Sequence, residues 1–473
     1  MKDNSTLISN LISDFINACF DSGIFPDVLK NATVIPLLKK GDKFSVLNYR
    51  PISKLLPLSK IIEKCVKTRL ISYFNLNNTL SSFQFGFRAG MSTQDALVHV
   101  TERIYSNLNN YLSTIGVFID FSKAFDTLNR TILIKKLEKY GVRGLALDFF
   151  KSYLENRTQQ VVIGDSISDS SPINMGVPQG SILGPYLFLI YVNEIPLISD
   201  IFATCMFADD TSFLVEGSCI EDLFVSCNHG LALFSDWCCA NRLSININKT
   251  KFMIFSNHSL PDSLPNMILN GSFIDQVSSI RFLGVELDQK LKFSLHINNI
   301  SIKISKICGV ISKIHEILPP FILMKLYHSL IESHMNYCSI IFGNAYQNHL
   351  NPLEIAQKKC IRIINGASFL AHTDPIFAEL KVLKFKDLYQ LNLGIYFYKN
   401  QGFFFDFNPR HGYNTRFIND ANPEYQRLTL TQHQSLKFQA PEAWNRIPLD
   451  VKTSNNVKLF RKKFKNHILS TYQ

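Results

Sequence analysis

Long apolar runs are missing from this chain. The longest strongly apolar stretch is Leu187 to Val192, which follows Gly184-Pro185-Tyr186 and precedes Asn193-Glu194. A bilayer span needs ~20 such residues, so no membrane-crossing helix is expected. The N-terminus, MKDNSTLISNLISDF, is broken by Asn, Ser and Asp and is no secretory signal. The 10 cysteines are therefore expected to be reduced. None forms a Cys-x-x-Cys pair and no zinc-ligand spacing occurs, so they read as buried thiols. Internal repeats and low-complexity tracts are absent too. Acidic residues are in deficit: 38 Asp+Glu against 49 Lys+Arg give +11, with a pI near 9.0. Such a surplus favours a polyanionic partner, nucleic acid or an anionic surface, and the missing apolar span weighs against a membrane.

What is present makes a folded chain. Hydrophobic residues are 46% of 473, enough for a sizeable core and too many for disorder. The length fits two to four domains or one multi-lobed unit. Apolar residues from Leu7 to Ile16 recur at helical spacing. Ala32 to Leu38 is short and β-branched and is followed by the turn Gly41-Asp42. Lys54 to Leu76 returns to helical spacing. Ser113 to Phe121 reads as a buried strand, and Leu128 to Tyr140 as a helix closed by Gly141. Ala203 to Phe207 and Ser212 to Val215 flank a polar pair, the pattern of a hairpin. Cys227 to Asn241 is helical, Lys251 to Phe255 and Ser279 to Leu287 are extended, and Leu295 to Phe397 is mainly helical. Without strict βαβ repetition, the first ~300 residues read as α+β and the remainder as α. From Arg410 to Gln473, 11 Lys/Arg oppose 4 Asp/Glu, a net of +7, with the densest cluster at Arg461 to His467. A solvated helix face has the same composition; the asymmetry favours phosphate contact.

Three carboxylates stand out. Asp120 ends an apolar strand, and Asp209 and Asp210 sit side by side at the tip of the apolar hairpin. Burial and mutual repulsion both disfavour charged acids there, and a site that accepts this commonly holds hard divalent cations, Mg²⁺ or Mn²⁺. A polar turn plus a helix cap would use the same residues. Between them lies MGVPQGSILGP (175–185), whose glycines allow close backbone approach and whose Ser181 can cap the next helix.

Together, FIDFSKAFD (118–126), MGVPQGSILGP (175–185) and FADD (207–210) resemble three motifs of the reverse transcriptases of non-LTR (LINE-type) retrotransposons, in order and at familiar spacing. VIPLLKKGDKFSVLNYRPIS (34–53), SSFQFGFRAGMST (81–93), NRLSININKTK (241–251), IRFLGVELD (280–288), APEAWNRIP (440–448) and RKKFK (461–465) extend the resemblance over nearly the whole chain. It implies a right-hand polymerase with a ferredoxin-like palm sheet. Fingers fall in 1–112, palm with inserted fingers elements in 113–294, a helical thumb in 295–400 and a basic segment in 401–473. The implied activity is RNA-directed DNA polymerisation by two-metal nucleotidyl transfer from a dNTP to a primer 3′-hydroxyl on an RNA template, in cytoplasm or nucleus. The DNA partner is primer or target.

Site residues follow from the same resemblance. Asp120, Asp209 and Asp210 correspond to the metal-binding triad, expected within ~6 Å of one another. Phe125 takes the position of the bulky side chain beneath the nucleotide sugar. Lys39, Lys40 and Arg50 fall in the triphosphate-contacting fingers motif, with either lysine eligible. Gln179 and Gly180 fall against nucleotide and template. Lys249, or Lys251 close by, corresponds to the lysine near the pyrophosphate. Phe282-Leu283-Gly284 resembles the primer-grip hairpin. The tail after Arg410 is expected to add nucleic-acid affinity without taking part in catalysis. LINE-type proteins commonly carry an endonuclease ahead of the polymerase; none fits before the first fingers motif, so a truncated copy or partial gene model is expected. Two other readings share the features: an RNA-dependent RNA polymerase, which Phe125 disfavours, and a non-catalytic nucleic-acid-binding relic.

Overall fold

In the computed structural model, residues 5–39, 41–401 and 434–472 are described. Lys40 and the start of the basic tail, including Arg410, lie outside them. Helix α1 (Ser5–Ser22) precedes the hairpin β1 (Asn31–Leu38) and β2 (Tyr49–Lys54). Helix α2 (Pro57–Leu76) begins on a proline that needs no N–H partner in the first turn. The helical spacing seen from Lys54 therefore starts three residues late, and residues 49–54 are a strand the sequence did not announce. Pro51 sits opposite Pro36 at the edge of that sheet, where neither costs a ladder bond to a third strand.

Helix α3 (Thr93–Asn109) opens with a reciprocal cap between Ser92 and Asp95. Strand β3 (Ser113–Ile119) follows and is buried throughout. Helices α4 (Arg130–Lys139) and α5 (Leu145–Leu154) lead to β4 (Arg157–Ile163), β5 (Ser166–Ile167) and β6 (Ser171–Ile173). Gly141, just past α4, has φ +93°, the left-handed stop expected of it. After α6 (Gly184–Val192), β7 (Ala203–Phe207) and β8 (Asp210–Gly217) form a hairpin. Then come α7 (Ile220–Ala240), β9 (Lys251–Phe255), the small pair β10 (Ile268–Leu269) and β11 (Ser272–Phe273), and β12 (Asp275–Gln276). The stretch from Ser279 to Leu287 is two strands, β13 (Ser279–Phe282) and β14 (Val285–Asp288). They turn on Leu283 and Gly284, both at positive φ, as a two-residue hairpin loop of right-twisted strands requires.

The central sheet runs β12-β9-β3-β8-β7. Its unit β3-α6-β7-β8-α7-β9 is a βαββαβ arrangement with spatial order 4-1-3-2, the ferredoxin-like sheet that a palm is expected to have. Ile115, Val117, Phe213 and Val215 face a core shared with α6, α7 and helices α1, α2 and α5. Phe118, Leu214, Met253 and Phe255 face a second core shared with α3 and every helix after β14. These are α8 (Ser294–Ile314), α9 (Pro320–Leu326) and its π-helical continuation Tyr327–Glu332, α10 (Ser333–Asn336), α11 (Ser339–Phe342), α12 (Gln347–Ile364), α13 (Asp374–Glu379) and α14 (Phe385–Lys399).

The tail helices α15 (Leu436–Asn445), α16 (Leu449–Lys452) and α17 (Val457–Ser470) belong to that second core. Trp444 stacks on Phe397 with ring centroids 4.5 Å apart, and Phe460 and Phe464 are buried. Glu102 of α3, itself buried, accepts the Ser435 hydroxyl at 2.7 Å and the Leu436 N–H at 2.7 Å, and so caps α15. This part of the tail is structural as well as basic. Trp444→Ala is expected to lower stability by about 3–5 kcal/mol, read from chemical denaturation; an unchanged midpoint would make the tail a detachable appendage. Among the described residues, no helix is long and apolar enough to cross a membrane.

Candidate active site

Register alone brings the three carboxylates to one end of the palm sheet. Ile119, the last residue of β3, pairs with Thr211, and Phe207 pairs with Asp210 across the hairpin. Asp120 thus leaves β3 beside Asp210, at cross-strand distance of about 5 Å. The hairpin turn is Ala208-Asp209. All three carboxylates line one cleft of about 830 Å³, with Lys39, Arg50 and Lys249 around them and Phe125, Gln179 and Gly180 in its walls. Loss of solvent raises the Asp209 carboxyl, and Asp120 adds to this while Arg50 and Lys39 oppose it. Asp210 is pushed up to about 6, first by desolvation, then by Asp209 and Asp120. The residue keeps an exposed face, so water screens part of that repulsion.

Among the described residues, no group of three or more His, Cys, Asp or Glu side chains is arranged to hold a metal ion as it stands. The donors nevertheless suit Mg²⁺, which is usually held by one or two carboxylates together with water and substrate phosphates rather than by a closed protein cage.

The lysine alternatives separate. Lys251 Nζ lies 2.6 Å from Asp275 Oδ2, away from the cleft, whereas Lys249 Nζ approaches Asp120 Oδ2 at 3.4 Å. The N–H of Asn246 donates to the Asp120 carbonyl at 2.7 Å and fixes the Lys249 loop to the end of β3. Lys40 lies outside the described residues. Phe125 is half-buried, its ring 4.7 Å from that of Phe188 on α6. Phe282 is buried against Phe118, and Tyr337 donates to the Leu283 carbonyl at 2.7 Å, so the β13-β14 hairpin leans on both palm and helical region.

The 175–185 loop is braced along its length. Gln179 Nε2 donates to both oxygens of Asp126, at 2.8 and 2.9 Å. The Ser53 N–H donates to the Gln179 carbonyl at 2.6 Å. Gly180 has φ +121°, and a Cβ there would meet the Ser53 carbonyl at 2.4 Å, so its close approach is to the chain's own strand β2. The Arg130 guanidinium donates to the carbonyls of Ile173, Met175 and Gly176. At the other end buried Glu63 accepts the N–H groups of Ile182 and Leu183, while the Ser181 hydroxyl accepts that of Gly184, the first residue of α6; the N-cap position itself falls on Leu183, two residues past the serine expected there.

The comparisons with known proteins fall on these same segments. Residues 38–287, more than half of the chain, match the family model described as reverse transcriptase (RNA-dependent DNA polymerase). The chain belongs to the reverse transcriptase family. Curated relatives include the RNA-directed DNA polymerase from mobile element jockey of Drosophila melanogaster, 31% identical over 79% of this chain and 42% of the relative. The probable RNA-directed DNA polymerase from transposon BS of the same species is 32% identical over 59% of this chain and 32% of its own length. The chain thus spans less than half of the relatives it matches, and its expected kinship with non-LTR retrotransposon polymerases holds. Telomerase from Candida tropicalis aligns over 79% of this chain and 73% of its own with a TM-score of 0.40 and 14% identity. Within this member of the family, Glu63, Asp126 and Arg130 are supports that sequence reasoning passed over. Asp126 stood in a quoted motif, but a carboxylate's amide partner 53 residues away leaves no local trace.

Proposed function

We propose that this chain carries RNA-directed DNA polymerase activity, transferring a deoxynucleotide from a dNTP to a primer 3′-hydroxyl opposite an RNA template. The observation that carries the reading is the placement of Asp120, Asp209 and Asp210 at one sheet end, in a single cleft that Lys39, Arg50 and Lys249 also line. The three aspartates would hold Mg²⁺ or Mn²⁺, which when bound lowers the pKa of the attacking hydroxyl and neutralises phosphate charge. Lys39 and Arg50 bind the triphosphate oxygens. Lys249 neutralises Asp120 before substrate arrives and then lies near the departing pyrophosphate. Gln179, held by Asp126, and the backbone at Gly180 position the nucleotide against the template. Phe125 lies beneath the sugar. The contribution of these groups is orientation and fixed charge.

RNA template and DNA are held through their backbones. On α17, Phe460, Phe464 and Ile468 face inward while Lys458, Arg461 and Lys462 are exposed. Replacing those three with Gln is expected to weaken duplex binding and reduce the slope of log K against log salt by about 2–3. An unchanged slope in a filter-binding titration would make that face a solvated surface only. Such work on nucleic acid belongs, in this reading, to cytoplasm or nucleus.

Primer extension on poly(rA)/oligo(dT) with dTTP and Mg²⁺ tests the activity. Incorporation above an Asp209→Asn control is expected. Duplex binding without incorporation would leave a nucleic-acid-binding relic, and equal use of ribonucleotides would restore the RNA-polymerase reading.

A further inference from the structure

The turn that presents Asp209 is a two-residue hairpin loop, which needs positive φ at its first residue, a place that suits glycine and is filled here by alanine. Ala208, a residue with a Cβ, sits at φ +59°, a left-handed conformation that L side chains rarely adopt. Its N–H points away from the cleft, into the protein, and is accepted at 3.0 Å by Oε1 of Gln84. The same oxygen accepts the N–H of Gly86 at 2.8 Å. Gln84 is buried, 1% exposed, and its Nε2 finds no partner among the described residues. Two N–H donors on one side fix which end of the amide faces them, since only oxygen can accept. A buried amide whose NH₂ goes unpaired is retained for its oxygen.

The segment that carries Gln84 is itself fixed. Phe85 N–H donates to the Met206 carbonyl at 2.8 Å and Met206 N–H to the Phe83 carbonyl at 2.9 Å, so residues 83–85 extend the palm sheet beyond β7. Arg88 donates to the Ser81 carbonyl at 2.6 Å, and Asn193 at the end of α6 accepts the Ser81 N–H at 2.8 Å. Gly86 completes the fit: a Cβ there would stand 2.4 Å from the Ala208 nitrogen.

We infer that Gln84 is a positioning residue for the polymerase reaction: its side-chain oxygen holds Ala208 left-handed and thereby sets where Asp209 and Asp210 stand relative to Asp120. The inference rests on the polymerase reading. It assigns a role in the site to a residue that does not line the cleft. The two-residue loop demands this conformation while the alanine Cβ resists it; without the Gln84 oxygen the turn would sample other loop geometries and move Asp209 off its line to the incoming phosphates.

The test is a double-mutant cycle with a suppressor. Gln84→Asn keeps the amide but draws its oxygen back by one methylene. Its kcat is expected to fall about 10²-fold, the cost of a misplacement near 1 Å, with the Kd for primer–template unchanged. Ala208→Gly removes the strain of the left-handed turn without needing Gln84. In the Gln84→Asn background it should restore about tenfold of the lost kcat, and more than it changes the wild type, because a left-handed residue is costly for alanine and not for glycine. An unaltered kcat in Gln84→Asn, or an equal effect of Ala208→Gly in both backgrounds, would overturn the inference. Hydrogen exchange of the peptide containing Ala208, followed by mass spectrometry, reads the same contact without activity. Faster exchange in Gln84→Asn is expected, and unchanged exchange counts against the lock even if the wild-type chain extends no primer. Should wild-type extension fail while exchange accelerates, the contact stands and the polymerase reading is what fails.

Discussion

Asp209→Asn is expected to reduce kcat for primer extension by about 10²–10³-fold or more while the protein melts at the same temperature or higher. The two halves of this result have one cause. Asp209, Asp210 and Asp120 crowd one end of the palm sheet, and desolvation, then repulsion from their neighbours, raises the carboxyls of both hairpin residues. Folding gains nothing from concentrating like charge there, so neutralising one member relieves the native state. Catalysis loses a fixed negative charge and an oxygen donor at the point where phosphate charge must be balanced. A residue that were merely part of a polar turn would show the opposite pattern, with stability lost and turnover kept. Parallel thermal melts and steady-state extension rates distinguish the two, and wild-type turnover in the variant would remove the three-carboxylate mechanism.

Phe125→Val should raise the use of ribonucleotides relative to deoxyribonucleotides by about one to two decades in kcat/KM. The ring lines the cleft five residues after Asp120 and is backed by Phe188, 4.7 Å away, so it cannot retreat from an incoming sugar. A 2′-hydroxyl would have to occupy space the ring fills, and overpacking of this kind costs about 1–3 kcal/mol. Each 1.36 kcal/mol is tenfold in rate. Valine keeps an apolar floor but withdraws the ring. Competition between labelled rUTP and dTTP on the same primer measures the ratio directly. If it does not move, sugar choice lies with other groups and the case against an RNA polymerase loses its support.

The palm was legible in the sequence because its strands are short, apolar and bounded by polar turns, so Asp120 and the Asp209-Asp210 pair could be placed at strand ends before any coordinates. Strand β2 was not legible: Tyr49-Arg50-Pro51 lacks a strand's apolar alternation, and pairing with β1 overrides it. The brace around the 175–185 loop was hidden for another reason. Glu63 lies 119 residues before Ile182, the amide it accepts, and Gln84 lies 124 before Ala208. Periodicity reports local geometry, whereas buried polar contacts between distant segments follow only from the assembled fold. The basic tail was half legible: its charge was counted, while the aromatic stripe that seats it, Trp444, Phe460 and Phe464, was obscured by the lysines between.

The cap that Glu102 places on α15 joins residues 333 positions apart. A chain emerging N-terminus first can seat α3 on β3 and β7 early, but the part of it that α15 covers stays exposed until residues 436–445 are made. Closure of that core waits for nearly the last residues, a topology that slows folding and lengthens exposure to aggregation. A stop codon just after residue 433 would leave every cleft residue named above in place and still release a product unable to finish one of its two cores. Residues 434–472 thus act on the polypeptide through packing rather than through catalysis.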